Sequence, residues 1–189
     1  IATPFAEKKT ALYYNQKINC MPATGSVSFG DKTYEFPEGK SFGTLDWGRG
    51  VWTYKNTWYW GSASGLAPDG KRLGWNIGYG FGDTSAASEN MIFYDGKAHK
   101  LSHVSFGIPM KHKIYVTHGG CCGSSSGRCA ETMDLIEDYM SPWTFTSDDG
   151  RFEMDFVPII DRAALTDAKL VSSDPHPVFG QFTGKVILH

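Results

Sequence analysis

The chain has 189 residues, a formal charge of −2, 14% aromatic residues and 22 glycines. That length builds one good core, or one domain and part of another, and the composition is that of a β-rich globular domain rather than a disordered segment. Without a block of like charge a nucleic-acid surface is not indicated, and no apolar run is long enough to span a membrane as a helix. The chain opens on IATPF and stops on KVILH, within apparent strand, so a larger parent chain or an oligomer is expected. No N-terminal targeting signal assigns a compartment, and a cytoplasmic one is weakly favoured.

In chain order the first clear element is a hairpin, Ser26–Phe29 and Lys32–Phe36 about Gly30-Asp31. An aromatic stretch follows, with Trp52, Tyr54, Asn56, Trp58 and Trp60 at alternate positions. Read as a strand, it places them all on one face. In the next run the alternate set is Arg72, Gly74, Asn76, Gly78 and Gly80, a face nearly cleared of side chains. An aromatic wall beside a glycine wall leaves either a solid aromatic core or a lined pocket. Met91–Tyr94 and Lys97–Val104 flank Asp95-Gly96, a dipeptide suited to a type I′ turn.

The segment HGGCCGSSSGRC holds His118, Cys121, Cys122 and Cys129, while Cys20 stands apart. It lacks the paired CxxC spacing of a structural zinc site, so it reads as an exposed Gly/Ser loop with incidental thiols. No metal and no cofactor is expected. Glu131–Met140 carries Met133, Ile136 and Met140 at helical spacing and is expected to form the one short helix, stopped by Pro142. A third hairpin joins Trp143–Ser147 to Arg151–Val157, with Phe152, Met154 and Phe156 on its buried face. Val178–Leu188 is a last strand, in which Gly180 and Gly184 permit bending or close packing. Nine to ten short strands with Gly-rich turns indicate an antiparallel all-β barrel or sandwich, and the aromatic face favours a barrel with room for one ligand.

Candidate site residues come from the polar groups set among these aromatics. Asp46 and Arg49 bracket Trp47 and could pair if LDWGRG is a turn. Alternatively Asp46 is a carboxyl at the mouth of an apolar pocket, where desolvation raises its pKa and makes it a general acid. Asn56 and Asn76 point to the proposed cavity and either bond each other and the backbone or orient a ligand. Asp83, Glu89 and Asn90 lie in GDTSAASEN, either as loop-closing groups or as ligand contacts. The six histidines are scattered, and no nucleophile elbow, phosphate loop or dinucleotide fingerprint is present.

LDWGRGVWTYKNTWYWGSASG, GYGFGDTSAASENMIFYDGKAHKL, PWTFTSDDGRFEMDFVP and HPVFGQFTGKV resemble an uncharacterised, lipocalin-like family of mainly bacterial and protist proteins. That family is distantly similar to carotenoid 1,2-hydratase and AttH-like proteins, which carry two consecutive barrels. Tyr13-Tyr14, the hairpin Gly25–Tyr34 and Asp46-Trp47 match hydratase features, whereas the hydratases' second acid has no counterpart here. The resemblance covers residues 1–108 and 139–187 and implies no stated activity.

The combined expectation is a lipocalin-like, calycin-type barrel over residues 51–189, the C-terminal barrel of a two-barrel protein. Residues 1–50 would form a linking hairpin and edge strands, completing an upstream barrel. The expected partner is a hydrophobic isoprenoid- or lipid-like small molecule, bound by Trp47, Arg49, Trp52, Tyr54, Asn56, Trp58, Trp60, Asn76, Asp83, Glu89 and Asn90. If the protein is an enzyme, it is a hydro-lyase or isomerase acting on an alkene, with Asp46 as the catalytic acid. The rivals are a non-catalytic lipid carrier and a structural protein whose aromatics fill a solid core.

Overall fold

The computed structural model describes residues 1–85, 87–117, 130–168 and 172–188. His118, Cys121, Cys122 and Cys129 lie outside the described residues. The fold is all-β and antiparallel. Its strands are β1 (Ala2–Pro4), β2 (Leu12–Pro22), β3 (Gly25–Phe29), β4 (Lys32–Phe36), β5 (Phe42–Val51), β6 (Tyr59–Leu66), β7 (Arg72–Tyr79), β8 (Met91–Tyr94) and β9 (Lys97–Lys100). They continue as β10 (Val104–Gly107), β11 (Met110–Thr117), β12 (Ala130–Glu137), β13 (Trp143–Ser147), β14 (Phe152–Asp161), β15 (Thr166–Asp167), β16 (Ser172–Ser173) and β17 (Val178–Val186). The sheet orders are β1-β2-β5, β6-β7-β8-β9 and β10-β13-β14-β17, with β3-β4, β11-β12 and β15-β16 as separate pairs.

The three expected hairpins form. Asp95 and Gly96 take φ of 50° and 79°, the doubly positive geometry of a type I′ turn, and register Tyr94 against Lys97. The returning strand ends at Lys100, not at Val104, and a new strand begins at Val104.

The expected helix at Glu131–Met140 is absent, and a strand, β12, occupies most of that segment. Its backbone pairs with β11 over eight registered positions, from Met110↔Glu137 to Thr117↔Ala130. A ten-residue helix is marginal on its own, so a long partner strand decides the conformation against a helical spacing of three apolar residues.

A second correction concerns the aromatic stretch. β5 ends at Val51 and β6 begins at Tyr59, so residues 52–58 are a connection between strands. Trp52, Tyr54, Asn56 and Trp58 therefore do not share a strand face with Trp60. The local reason is Asn56, whose Nδ2 donates to the Thr53 carbonyl (2.6 Å) while its Oδ1 accepts from Thr53 Oγ1 (3.0 Å). These bonds close a turn where a strand would leave the amide to a neighbour.

The described chain divides into two compact units. The first comprises residues 1–105, 146–153 and 185–189, and the second residues 106–145 and 154–184. In the first unit, Trp75, Ile77, Ile92, Leu101 and Phe152 are buried, with Trp75 edge-on to Phe152 at 5.4 Å. A bulge in β2 between Ile18 and Met21 frees Asn19 and Cys20 from the β5 ladder. Asn19 Nδ2 then donates to Ser62 Oγ (2.6 Å) and toward the Trp75 carbonyl (3.1 Å), and the Cys20 N–H donates to Ser64 Oγ (3.0 Å). Those bonds tie β2 to β6 and β7.

In the second unit, Trp143, Phe145, Met154 and Phe156 form the buried aromatic core, with Phe156 against Phe182 at 4.6 Å. Burial alternates along β14 from Phe152 to Phe156, as the sequence pattern requires of a one-sided sheet. Gly180 permits close packing: a Cβ there would lie 2.3 Å from the Val157 carbonyl oxygen.

Gly96→Ala tests the turn reading. A Cβ at this position meets nothing within 4 Å, so the cost is that of the left-handed backbone alone. The substitution should lower stability by about 1–2 kcal/mol in urea denaturation. A neutral result would mean the hairpin does not depend on that turn.

Candidate functional site

Alternation along β2 and β5 sorts the site residues onto two faces. Tyr13, Asn15 and Lys17 share one face of β2, and their register partners on β5 are Gly50, Gly48 and Asp46. The glycines make room: a Cβ at Gly48 would lie 2.3 Å from the Tyr13 ring. Trp47 and Arg49 belong to the opposite face, where Trp47 meets Tyr14 edge-on at 6.1 Å. Since residues 46–49 lie inside a strand rather than a turn, Asp46 and Arg49 point apart. Asp46 pairs instead with Lys17, directly opposite in register.

On the Tyr13 face the rings gather around Phe81. Tyr13 (4.7 Å), Trp58 (5.3 Å), Phe5 (5.6 Å) and Trp52 (5.7 Å) all meet it edge-on. This is the arrangement ring quadrupoles prefer. Trp52 and Trp58 nevertheless stay 45% and 53% exposed, so they cover the surface rather than fill a core. Gly82 holds Phe81 in place with φ of 77°, and the Asp83 N–H donates to the Pro4 carbonyl at 2.7 Å. Asp83 Oδ1 in turn accepts from the Ser85 N–H (3.2 Å) and hydroxyl (2.5 Å), closing an Asx turn.

Beneath the rings is a cavity of ≈20 Å³ whose lining includes Tyr13, Asn15, Trp58, Phe81, Thr84 and Glu89. That is room for one water-sized group. A wider, open cleft of ≈260 Å³ beside it is lined by Phe5, Lys55, Asn56, Gly80, Gly82 and Asp83, among others. The two share the 80–82 turn as a common wall.

A polar chain runs from this floor. The Lys17 side chain is 8% exposed and ion-paired with Asp46, and its Nζ lies 3.8 Å from Glu89 Oε2 and 5.1 Å from the Trp60 ring centre. Trp60 Nε1 donates to Asn76 Oδ1 (2.8 Å), and Asn76 Nδ2 donates to the Glu89 carbonyl (3.2 Å). Burial pushes the Glu89 carboxyl above its ordinary pKa, outweighing the nearby Lys17 ammonium. Burial likewise raises the Tyr13 phenol. Two buried oxygens, Asn15 Oδ1 and Glu89 Oε2, accept no hydrogen bond. Among the described residues no three His, Cys, Asp or Glu side chains converge on a metal-sized site. No helix of the described residues is long and apolar enough to cross a membrane.

Residues 1–189 match a family described as Domain of unknown function (DUF2804). The chain belongs to the DUF2804 family. Comparison with curated proteins and with solved structures finds no match.

In this DUF2804 chain the expected site residues separate into groups. Trp52 and Trp58 come together on Phe81, while Asp46, Trp60, Asn76 and Glu89 come together around Lys17. Asn56 and Asp83 line the open cleft. Trp47 and Arg49 are on the other face of β5, and Tyr54 is among the most exposed residues. Asn90 is buried, with Oδ1 accepting from the Gly78 N–H (2.7 Å) and Nδ2 donating to the Ser102 carbonyl (3.0 Å). It replaces missing ladder bonds. Sequence reasoning missed Tyr13, Asn15, Lys17 and Phe81. The alternation of YYNQK opposite the glycines of DWGRG carries the signal for the first three.

The raised Glu89 carboxyl makes stability depend on pH. Its folded pKa exceeds the unfolded one, so the folded state binds the extra proton, and stability falls as pH rises from about 4.5 through the folded pKa. Glu89→Gln should remove this loss. Thermal melts across pH 4–8 should show the variant gaining on the native chain as pH rises. A constant difference across the range would contradict the assignment.

Proposed function

We propose that the first unit binds a hydrophobic, isoprenoid- or lipid-like small molecule across Trp52, Trp58, Phe81 and Tyr13. The observation that carries this reading is the pair of half-exposed tryptophans edge-on to one phenylalanine, with Trp58 and that phenylalanine lining a small cavity beside a largely buried carboxyl. A surface holding such rings in fixed geometry without covering them suits an apolar ligand. The proposal keeps the lipocalin-like barrel and the ligand class that the sequence motifs imply. The half-exposure weighs against aromatics that serve only as a solid core.

A second reading is hydration or cyclisation of an alkene. The buried carboxyl beside the rings favours it, and the acid is then Glu89 rather than Asp46. Asp46 is bound to a cation and substantially exposed, whereas burial favours a retained proton on Glu89. Glu89 gives its proton to one alkene carbon, and the cation left on the other lies against tryptophan faces. Water, or a second double bond of the same molecule, then attacks that carbon, and a proton is released. Without turnover, the same surface is a lipid carrier.

Trp58→Ala separates a binding surface from a core. Because about half the side chain is already exposed, the change should cost about 1–2 kcal/mol of stability, short of the roughly 3–5 kcal/mol of a buried tryptophan. It should weaken binding of a fluorescent lipid about tenfold. Unchanged binding with a large loss in thermal stability would leave the structural reading.

A further inference from the structure

The floor of the aromatic surface holds a feature that apolar binding alone does not use. Asn15 is 3% exposed, yet its Oδ1 accepts no hydrogen bond. Glu89 keeps 19% of its side chain exposed, but its Oε2 is buried and likewise lacks a hydrogen bond, and both residues line the ≈20 Å³ cavity beneath Trp58 and Phe81. Leaving buried polar atoms without a hydrogen-bond partner is costly, so the site favours a small group that can serve them. The cavity is too small for a ring or chain and large enough for one oxygen or nitrogen with its hydrogens.

We propose that Asn15 and Glu89 select the polar end of the ligand, and that this end is a hydroxyl: the ligand class is an apolar alcohol. This rests on the binding reading above. Asn15 Oδ1 is an acceptor and takes the ligand O–H. Burial shifts the Glu89 carboxyl toward its protonated form, which can donate to the ligand oxygen. A hydroxyl, at once donor and acceptor, meets both demands. An ammonium has nothing to accept with, and it would add a second cation near Lys17, whose Nζ is 3.8 Å from Glu89 Oε2. A carboxylate would bring a negative charge to Asn15 Oδ1 and Glu89. An ether lacks the proton for Asn15. The apolar body of the ligand lies over Trp52, Trp58 and Phe81, outside the cavity.

The test is a titration of the full chain's tryptophan fluorescence with 1-octanol, octyl methyl ether and octylamine at neutral pH. Octanol should bind about tenfold tighter than either analogue, the worth of one to two hydrogen bonds in a buried site. In Asn15→Leu the advantage over the ether should vanish, with ether affinity kept. Equal binding of alcohol and ether by the native chain would overturn the hydroxyl assignment while leaving the apolar surface intact. Tighter binding of the amine would overturn it as well. If no probe binds, the binding reading fails and the assignment fails with it. Should Asn15→Leu not fold, the alcohol–ether contrast in the native chain still decides.

Discussion

A lysine ammonium taken out of water needs charge and hydrogen bonds around it, and the arrangement of the first unit follows from how Lys17 is met. Asp46 stands directly across the β2–β5 ladder and neutralises it. Glu89 approaches from the segment before β8, and Trp60 offers its ring from β6. Four segments distant in sequence are thereby held to one point. The Trp60 Nε1 to Asn76 bond and the Asn76 to Glu89 bond then close the circle, so moving any member disturbs the rest. Charge alone does not set the protonation of Glu89. Its desolvation exceeds the attraction of Lys17, partly because Asp46 already occupies that cation.

Glycine placement determines where such a cluster can open to the surface. Gly48 and Gly50 leave β5 bare opposite Tyr13 and Asn15, letting the Tyr13 ring lie on the backbone. Gly78 does the same on β7, where a Cβ would be 2.7 Å from the Tyr59 carbonyl and 3.7 Å from Glu89 Oε1. Large aromatic residues on neighbouring segments close over these clearings from above. The result is a shallow, partly walled site with a water-sized floor, distinct from a deep pocket.

Local patterns in the sequence were legible where the answer is local. Asp95-Gly96 sets its own turn, and the alternation of Phe152, Met154 and Phe156 shows which face of β14 is buried. The glycine-cleared face is also real over residues 74–78 of β7, with Asn76 fully buried within it, whereas Gly80 lies past the strand end with φ of 93°. What failed were inferences that needed a partner's identity. Glu131–Met140 has helical spacing, yet β11 supplies a complete ladder that spacing cannot reveal. Residues 52–60 alternate as a strand would, but Asn56 and Thr53 bond locally and break the run. The site was therefore half legible. Trp52, Trp58, Trp60, Asn76 and Glu89 are recognisable as aromatics and polar groups in one region. Lys17, Asn15 and Tyr13 lie far upstream, and only strand pairing brings them near.

The same pairing explains why Asp46, conspicuous beside a tryptophan, meets a lysine instead of the rings. Position next to an aromatic in sequence places two strand residues on opposite faces, so Trp47 shields nothing around Asp46. Its carboxyl faces a lysine and remains partly in water. Glu89 has the reverse surroundings: apolar rings above, a backbone clearing at Gly78 beside it, and a cation shared with a nearer acid. Two carboxyls about one lysine thus differ: Asp46 is the close counter-ion, while burial raises the pKa of Glu89. The division follows from which of them the sheet exposes.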